Sequence, residues 1–384
     1  MHRLVALAAE GGTRFPDRLR DAWEAGDAVL PVDPRLPRPA VDRLLARLAP
    51  DVFVDADGDR HGVTGGRPVE PGDALVVATS GSTGEPRGVV LTHDAVAASA
   101  VATSTRLGVD PGSDRWLACL PLAHVGGLSV VTRALATGTG LTIHDRFDAA
   151  DVEEEARRGA TLVSLVPTAL RRIDSSLFRT VLLGGSRPPD DVGTNVVTTY
   201  GMTETGSGVV YDGVPLDGVE VRIADGEVQV RGPMLLRCYR DGDDPRTADG
   251  WLPTGDAGVI EDSGIGVPGG GGGGRLTVFG RRAEMIITGG ENVWPHAVEE
   301  VLGGHPQVAE VAVAGRPDPE WGQRVAAWVV PVDTSRPPTL RSLRAWVAGQ
   351  LPSYAAPRRL TVVDALPRTA LGKIARHRLP GETE

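Results

Sequence analysis

Lysine is almost absent from this chain. Of 40 Lys and Arg side chains only Lys373 is a lysine, and the remaining 39 are arginine. A position needing only positive charge takes the planar, permanently charged guanidinium here, so the single flexible ammonium marks a place where that group itself is required. Cysteine is nearly as scarce. Cys119 and Cys238 lie far apart with no CxxC spacing, which excludes a thiolate zinc cage and a disulfide framework and fits a reducing compartment. A basic face is lacking too: the formal net charge is −10, without the electrostatic footprint of a nucleic-acid binder. No apolar run approaches the roughly 20 residues of a membrane span. The start, Met1 to Glu10, is too short and too quickly acidic for a signal peptide. A cytoplasmic protein is expected.

What is present is glycine (50), proline (30) and an ordinary share of hydrophobic residues (41%). These suit a soluble α/β enzyme of two or three domains. Apolar, β-prone runs at 75–78, 116–120, 162–166 and 181–183 alternate with helical patterns at 95–102, 128–135 and 168–173. Continuous apolar strands in such alternation predict parallel sheets covered by helices. From about Gly218 short alternating runs (219–223, 227–231, 276–279) predict a β-rich subdomain. The glycine run 269–274 reads as a flexible hairpin insertion, and its formal GxGxxG match carries no weight. Beyond Arg281 the pattern restarts, with helices over 295–302 and 340–351 and strands over 308–314 and 326–332. The expected division is 1–281 and a smaller α+β domain, 282–384, ending near Lys373.

The clearest local signal is Thr79-Ser80-Gly81-Ser82-Thr83-Gly84-Glu85-Pro86-Arg87-Gly88. Its glycines let backbone approach a polyphosphate, and its hydroxyls offer donors. It lacks the GxxxxGK[ST] of a Walker loop. Further motifs follow in order: Tyr200-Gly201-Met202-Thr203-Glu204-Thr205, Gly250 to Asp256, Gly280-Arg281, Gly289-Gly290-Glu291-Asn292, and Pro367 to Ile374 around Lys373. Together these resemble the adenylate-forming superfamily of acyl-CoA synthetases and adenylation domains.

That resemblance implies a two-domain adenylate-forming fold with a mobile C-terminal lid, and a two-step ligase. A carboxylate attacks the α-phosphate of ATP, pyrophosphate leaves, and a thiol then displaces AMP from the acyl-adenylate. It also implies site roles. Thr79, Ser80, Gly81, Ser82, Thr83, Gly84 and Arg87 would hold phosphates, and Thr83 and Glu204 would hold Mg²⁺. Tyr200, with Gly184 and Gly185, would border the adenine, Gly201 and Thr203 would belong to the ATP site, and Asp256 and Arg281 would bind the ribose. Lys373 would bridge α-phosphate and carboxylate. Gly289, Gly290 and Glu291 would line the passage for coenzyme A. Two departures stand out: Arg87 replaces the family's common Lys, and Ala283 replaces its polar hinge residue.

The motif Leu120 to Leu128 matches the family's acyl pocket, with His124 as gate and Gly126, Gly127 and Gly201 beside the acid. Only 78 residues precede the phosphate loop. With His124 to Arg133 and Ile143 to Phe147, this resembles the short form of the o-succinylbenzoate–CoA ligases of menaquinone synthesis. Such an acid carries a second, unreacted carboxylate, and a buried carboxylate calls for a cation. Arg133 is the expected partner. Another aryl- or acyl-CoA ligase remains an alternative, as does an adenylation enzyme loading a carrier protein. The chain itself carries no carrier arm, because no Ser follows Leu302-Gly303-Gly304-His305. A non-catalytic nucleotide-binding regulator would not need Glu204, Asp256 and Lys373, and a serine hydrolase is excluded by the lack of GxSxG. The expected partners are small molecules, ATP, acid and coenzyme A, with no nucleic acid or membrane span; oligomeric state is left open, a homodimer included.

Overall fold

The computed structural model describes residues 2–80, 86–189, 191–262, 274–368 and 374–381. Packing divides the chain into two units. The first comprises 1–222, 229–253 and 260–277, the second 223–228, 254–259 and 278–384.

Two seven-stranded sheets build the first unit. One has the order 238–239, 86–92, 73–80, 28–32, 4–8, 52–54, 60–62. Its centre is parallel, as Leu4–Ala8 pairs with both Ala28–Val32 and Val52–Val54. Strand Leu4–Ala8 has all five side chains buried. The second sheet runs 214–215, 208–211, 196–201, 180–183, 162–165, 115–118, 140–143. It is parallel from 140–143 through 196–201 and antiparallel beyond.

The near-continuous Val/Leu content of these strands follows from burial on both faces. Helix His93–Leu107 lies on 73–80 and 86–92, helix Val125–Thr137 lies on 115–118 and 162–165, and the two helices pack on each other. Thr92 starts the first by accepting from Ala95 N at 3.1 Å, and Gly108, at φ 55°, ends it. Leu117, Val163, Val181 and Leu183 meet Val152 and Phe178 in the core of the second sheet.

The sequence pattern led from strand 75–78 straight to a helix. The structure inserts a strand, Pro86–Thr92, antiparallel to Asp73–Ser80. The strands on either side of the glycine-rich motif are therefore antiparallel partners, and no helix follows it directly as one follows a Walker loop. The helix expected over 168–173 is only a single turn, Pro167–Leu170.

A four-stranded sheet of 220–224, 227–231, 252–262 and 274–281 carries the division between the units. The expected glycine insertion falls on 263–273, outside the described residues; Gly274 begins a strand. In the second unit, strands in the order 291–293, 286–288, 322–331, 308–318 form a sheet, with 359–362 pairing parallel to 322–331. Helices Pro295–Gly303 and Leu340–Ala348 close one face through Val298, Leu302, Leu343 and Val347. Among the described residues, no helix is long and apolar enough to cross a membrane.

Candidate active site

Gly81, Ser82, Thr83 and Gly84 of the phosphate loop, and Lys373, lie outside the described residues. The base of the loop is described. Thr79 pairs with Arg87, its hydroxyl donates to the Arg87 carbonyl at 3.4 Å, and Ser80 pairs with Pro86.

Strand Thr180–Leu183 ends at Gly184-Gly185. A side chain on Gly184 would place Cβ 2.5 Å from Thr199 Oγ1, and Gly185 holds φ +86°. Both positions demand glycine. The neighbouring strand Val196–Gly201 shifts register between Tyr200 and Gly201, a bulge of the kind that re-aims side chains beside a site. A Cβ on Gly201 would collide with the Ser207 carbonyl. The chain then makes the tight turn Thr203–Thr205. Buried Thr205 accepts from Met202 N at 2.9 Å and donates to the Ser207 carbonyl at 2.6 Å, which sets Thr203 and Glu204 just past the strand. Gly184, Gly185, Tyr200, Gly201, Thr203 and Glu204 are thus gathered at adjacent strand ends of one sheet, the usual place for a ligand in an open α/β sheet.

Glu204 has a neighbour that the sequence reading missed. Tyr239 Oη donates to Glu204 Oε1 at 2.9 Å, and Arg87 Cζ stands 3.5 Å above the Tyr239 ring centre. Arg87 also reaches Asp243 at 2.8 Å and Asp241 at 3.5 Å. Only the scarcity of tyrosine, four in the chain, could have flagged Tyr239, since its side-chain contacts with Glu204 and Arg87 are with residues 35 and more positions away.

His124 sits just before helix Val125–Thr137, in extended conformation at φ −122°. Gly127 must be glycine, because a Cβ would strike the Leu120 carbonyl; Gly126 would meet only Leu120 Cδ1 at 3.6 Å. Burial pushes the Asp33 carboxyl up, but Arg35, bonded at 2.9 and 2.7 Å, outweighs it with a smaller pull from His124, so Asp33 lies below the usual range. Two turns along the same helix, Arg133 is 3% exposed. Its Nη2 donates to Ser129 Oγ at 3.1 Å, while Nε and Nη1 have no hydrogen-bond partner among the described residues. The Trp116 ring lies 5.5 Å from Cζ. Burial without a carboxylate pushes this guanidinium below its ordinary value. Ser129 also lines, with Ser99, Val125, Thr132 and Gly206, a cavity of ≈ 10 Å³, room for about one water.

In the second unit, Asp256 is buried and faces Arg281, Oδ1 to Nε at 3.2 Å; Arg281 Nη1 also donates to the Thr254 carbonyl at 2.6 Å. Gly289 and Gly290 hold φ +60° and +85° between strands 286–288 and 291–293, with Glu291 exposed at the start of the second. This is the two-residue hairpin geometry that favours Gly-Gly. Gly289 additionally has no room for a Cβ against Trp321.

Two family models match the chain: AMP-binding enzyme over residues 64–240, and AMP-binding enzyme C-terminal domain over 297–373. A probable 2-succinylbenzoate–CoA ligase of Mycobacterium tuberculosis is 41% identical over 347 residues, covering 83% of this chain and 88% of its own length. The chain belongs to the AMP-binding enzymes.

The Bacillus anthracis 2-succinylbenzoate–CoA ligase is 35% identical over 345 residues, covering 79% of this AMP-binding enzyme and 69% of itself. The fold is the adenylate-forming one. The O-succinylbenzoate coenzyme A synthetase of Bacillus subtilis, solved with AMP, superposes with a TM-score of 0.86 at 27% identity, covering 100% of this chain and 89% of its own. The same Bacillus enzyme has been solved with ATP and magnesium ion. Among the described residues of this AMP-binding enzyme, no cluster of three or more His, Cys, Asp or Glu could hold a metal. Glu204 offers one carboxylate oriented by Tyr239. That donor set fits Mg²⁺ arriving with a nucleotide, which takes one or two carboxylates plus phosphate oxygens and keeps its waters.

Proposed function

We infer that this AMP-binding enzyme is an ATP-dependent acid–CoA ligase that converts 2-succinylbenzoate, ATP and coenzyme A to 2-succinylbenzoyl-CoA, AMP and pyrophosphate. The observation that carries the reading is the 41% identity to a probable ligase of that name over 88% of its length. Buried, incompletely partnered Arg133 supports the choice of acid.

One carboxylate oxygen of the acid attacks the α-phosphorus, the bond to the β-phosphate oxygen breaks, and pyrophosphate departs. The thiolate of coenzyme A then adds to the acyl carbon, and AMP leaves with the anhydride oxygen. The first step crowds a carboxylate against a triphosphate, so the protein contributes mainly charge and position. Arg87 and the loop 79–84 hold phosphates. Glu204 and Thr83 would hold Mg²⁺, which would supply Lewis-acid neutralisation of those phosphates. Tyr200 and Gly184-Gly185 flank the base, and buried Asp256, with Arg281, takes the ribose hydroxyls. Lys373 serves the α-phosphate in this step alone. The segment 282–384 acts as a mobile lid, withdrawing Lys373 and presenting Gly289, Gly290 and Glu291 to coenzyme A. His124 and Gly127 border the acid, and Arg133 meets its unreacted carboxylate. Where ATP and coenzyme A are the substrates, the cytoplasm is the working compartment.

A panel of aryl and acyl acids, scored by pyrophosphate release and by CoA thioester formation, tests the reading. 2-Succinylbenzoate should give both products and other acids much less. Pyrophosphate release without thioester on free coenzyme A would instead favour carrier-protein loading. Lys373→Ala should lose pyrophosphate release yet still convert supplied acyl-adenylate; adenylation at the wild-type rate would overturn the assignment.

A further inference from the structure

We propose that Tyr239 is a positioning residue of the adenylation site, its hydroxyl aiming the Glu204 carboxylate and its ring seating the Arg87 guanidinium. This rests on the roles given above to Glu204 and Arg87.

The placement follows from strand register. Cys238–Tyr239 is an edge strand on Pro86–Thr92, with Cys238 opposite Val90 and Tyr239 opposite Val89. Side chains two apart on a strand share a face, so Tyr239 lies alongside Arg87. A turn closes immediately after it: Gly242 N donates to the Tyr239 carbonyl at 2.8 Å, and Tyr239 N to the Asp243 carbonyl at 2.8 Å. Arg240 N donates to the Gly88 carbonyl at 2.7 Å and locks the edge strand at the end of the phosphate hairpin. The same segment grips Glu204 twice. Leu236 N donates to its carbonyl at 2.8 Å, and Tyr239 Oη to its carboxylate at 2.9 Å.

Each contact suits one chemical task. Glu204 is half-buried, with room for its carboxylate to turn about its last bond, and a donor on one oxygen fixes its plane. In this contact the phenol hydrogen is the donor, since an ionised carboxylate can only accept. The guanidinium 3.5 Å from the ring centre is planar and stacks, which a compact ammonium would not do. That stack gives a physical account of Arg in place of the family's common Lys: the arginine is held by a platform that also holds Glu204. Asp241 and Asp243, both more exposed than Arg87, reach its Nη2, while the Tyr239 ring covers the guanidinium carbon.

The test uses full-length Tyr239→Phe and Tyr239→Leu, with ATP affinity measured calorimetrically in Mg²⁺ and in EDTA, and pyrophosphate release followed across a Mg²⁺ titration. Tyr239→Phe keeps the stack and should bind ATP in EDTA as wild type does. It should lose roughly tenfold of the Mg²⁺-dependent gain in affinity, the worth of one hydrogen bond to a charged group. Its apparent KM for Mg²⁺ should rise similarly, with kcat recovered at saturating Mg²⁺. Tyr239→Leu should lose ATP affinity in EDTA as well, matching Arg87→Ala. An unchanged Mg²⁺ dependence in Tyr239→Phe, or a uniform fall in kcat that Mg²⁺ cannot rescue, overturns the proposal. Glu204→Gln separates the two levels. If it leaves the Mg²⁺ gain intact, the underlying reading of Glu204 fails; if it abolishes the gain while Tyr239→Phe does not, only the role of Tyr239 fails.

Discussion

At the scale of single residues, the surroundings of Arg133 do little to repay its burial. A guanidinium has five N–H donors, and two of the three nitrogens carrying them have no acceptor among the described residues. Ser129 and the Trp116 ring are weak compensation for taking a charge out of water. A buried donor left unmade costs about 1–3 kcal/mol. Arg133→Met, close in volume and unbranched, should therefore leave the ligand-free protein as stable as wild type or more so in thermal unfolding. The same variant should lose most of kcat/KM for a two-carboxylate acid while ATP binding stays. A structural arginine predicts the opposite pattern, with melting temperature falling and kcat/KM for all acids declining in step. Arg133→Ala gives the coarser check, since equal activity on 2-succinylbenzoate would remove Arg133 from substrate recognition altogether.

At the scale of elements, the phosphate hairpin hands directly to a helix. Thr92 is both the last residue of strand Pro86–Thr92 and the cap of helix His93–Leu107, accepting from Ala95 N. Replacing Thr92 with Ala removes one acceptor from the helix start, a loss of about 1 kcal/mol. The urea midpoint of Thr92→Ala should drop correspondingly; an unmoved midpoint would mean that solvent caps the helix equally well. These elements also show what the chain made readable. The long helices and apolar strands were visible because period 3.6 and continuous Val/Leu runs survive in one dimension. Strand 86–92 was hidden because Pro86-Arg87-Gly88 reads as turn chemistry, although Val89, Val90 and Leu91 behind it are buried. Gly127 and Gly201 were marked from motif position, and their need for glycine is now steric. Tyr239 was illegible for a different reason: its significance lies in pairing with a strand some 150 residues earlier, and no local pattern encodes that.

At the scale of the whole molecule, buried carboxylates are tied to arginines across the first unit. Asp27 meets Arg3 at 2.6 Å, Asp33 meets Arg35 at 2.7 Å, and Asp114 meets Arg179 at 2.7 Å; all three carboxylates are buried, whereas their arginines remain partly exposed. Burial alone would raise each carboxyl, but the guanidinium and backbone donors outweigh it and hold all three below the usual range. The sign follows directly. The unfolded chain binds protons near the ordinary value of about 3.9, before these native carboxylates do. Their stabilisation is complete above that value and disappears as pH falls through it towards the native values. Exposure of the arginines limits the size of each contribution through solvent screening. Melting temperature should consequently be nearly level from about pH 7 to 5 and fall steeply below about pH 4. Asp114 is the informative member, because it joins three places in the chain: it accepts from Asp110 N at 2.9 Å, the Thr161 hydroxyl at 2.7 Å and Arg179 at 3.0 and 2.7 Å. Asp114→Asn should melt lower than wild type at neutral pH and show a shallower decline in acid, the two curves converging as Asp114 protonates. Parallel curves, displaced but with equal slope, would show that acid sensitivity arises from other carboxylates.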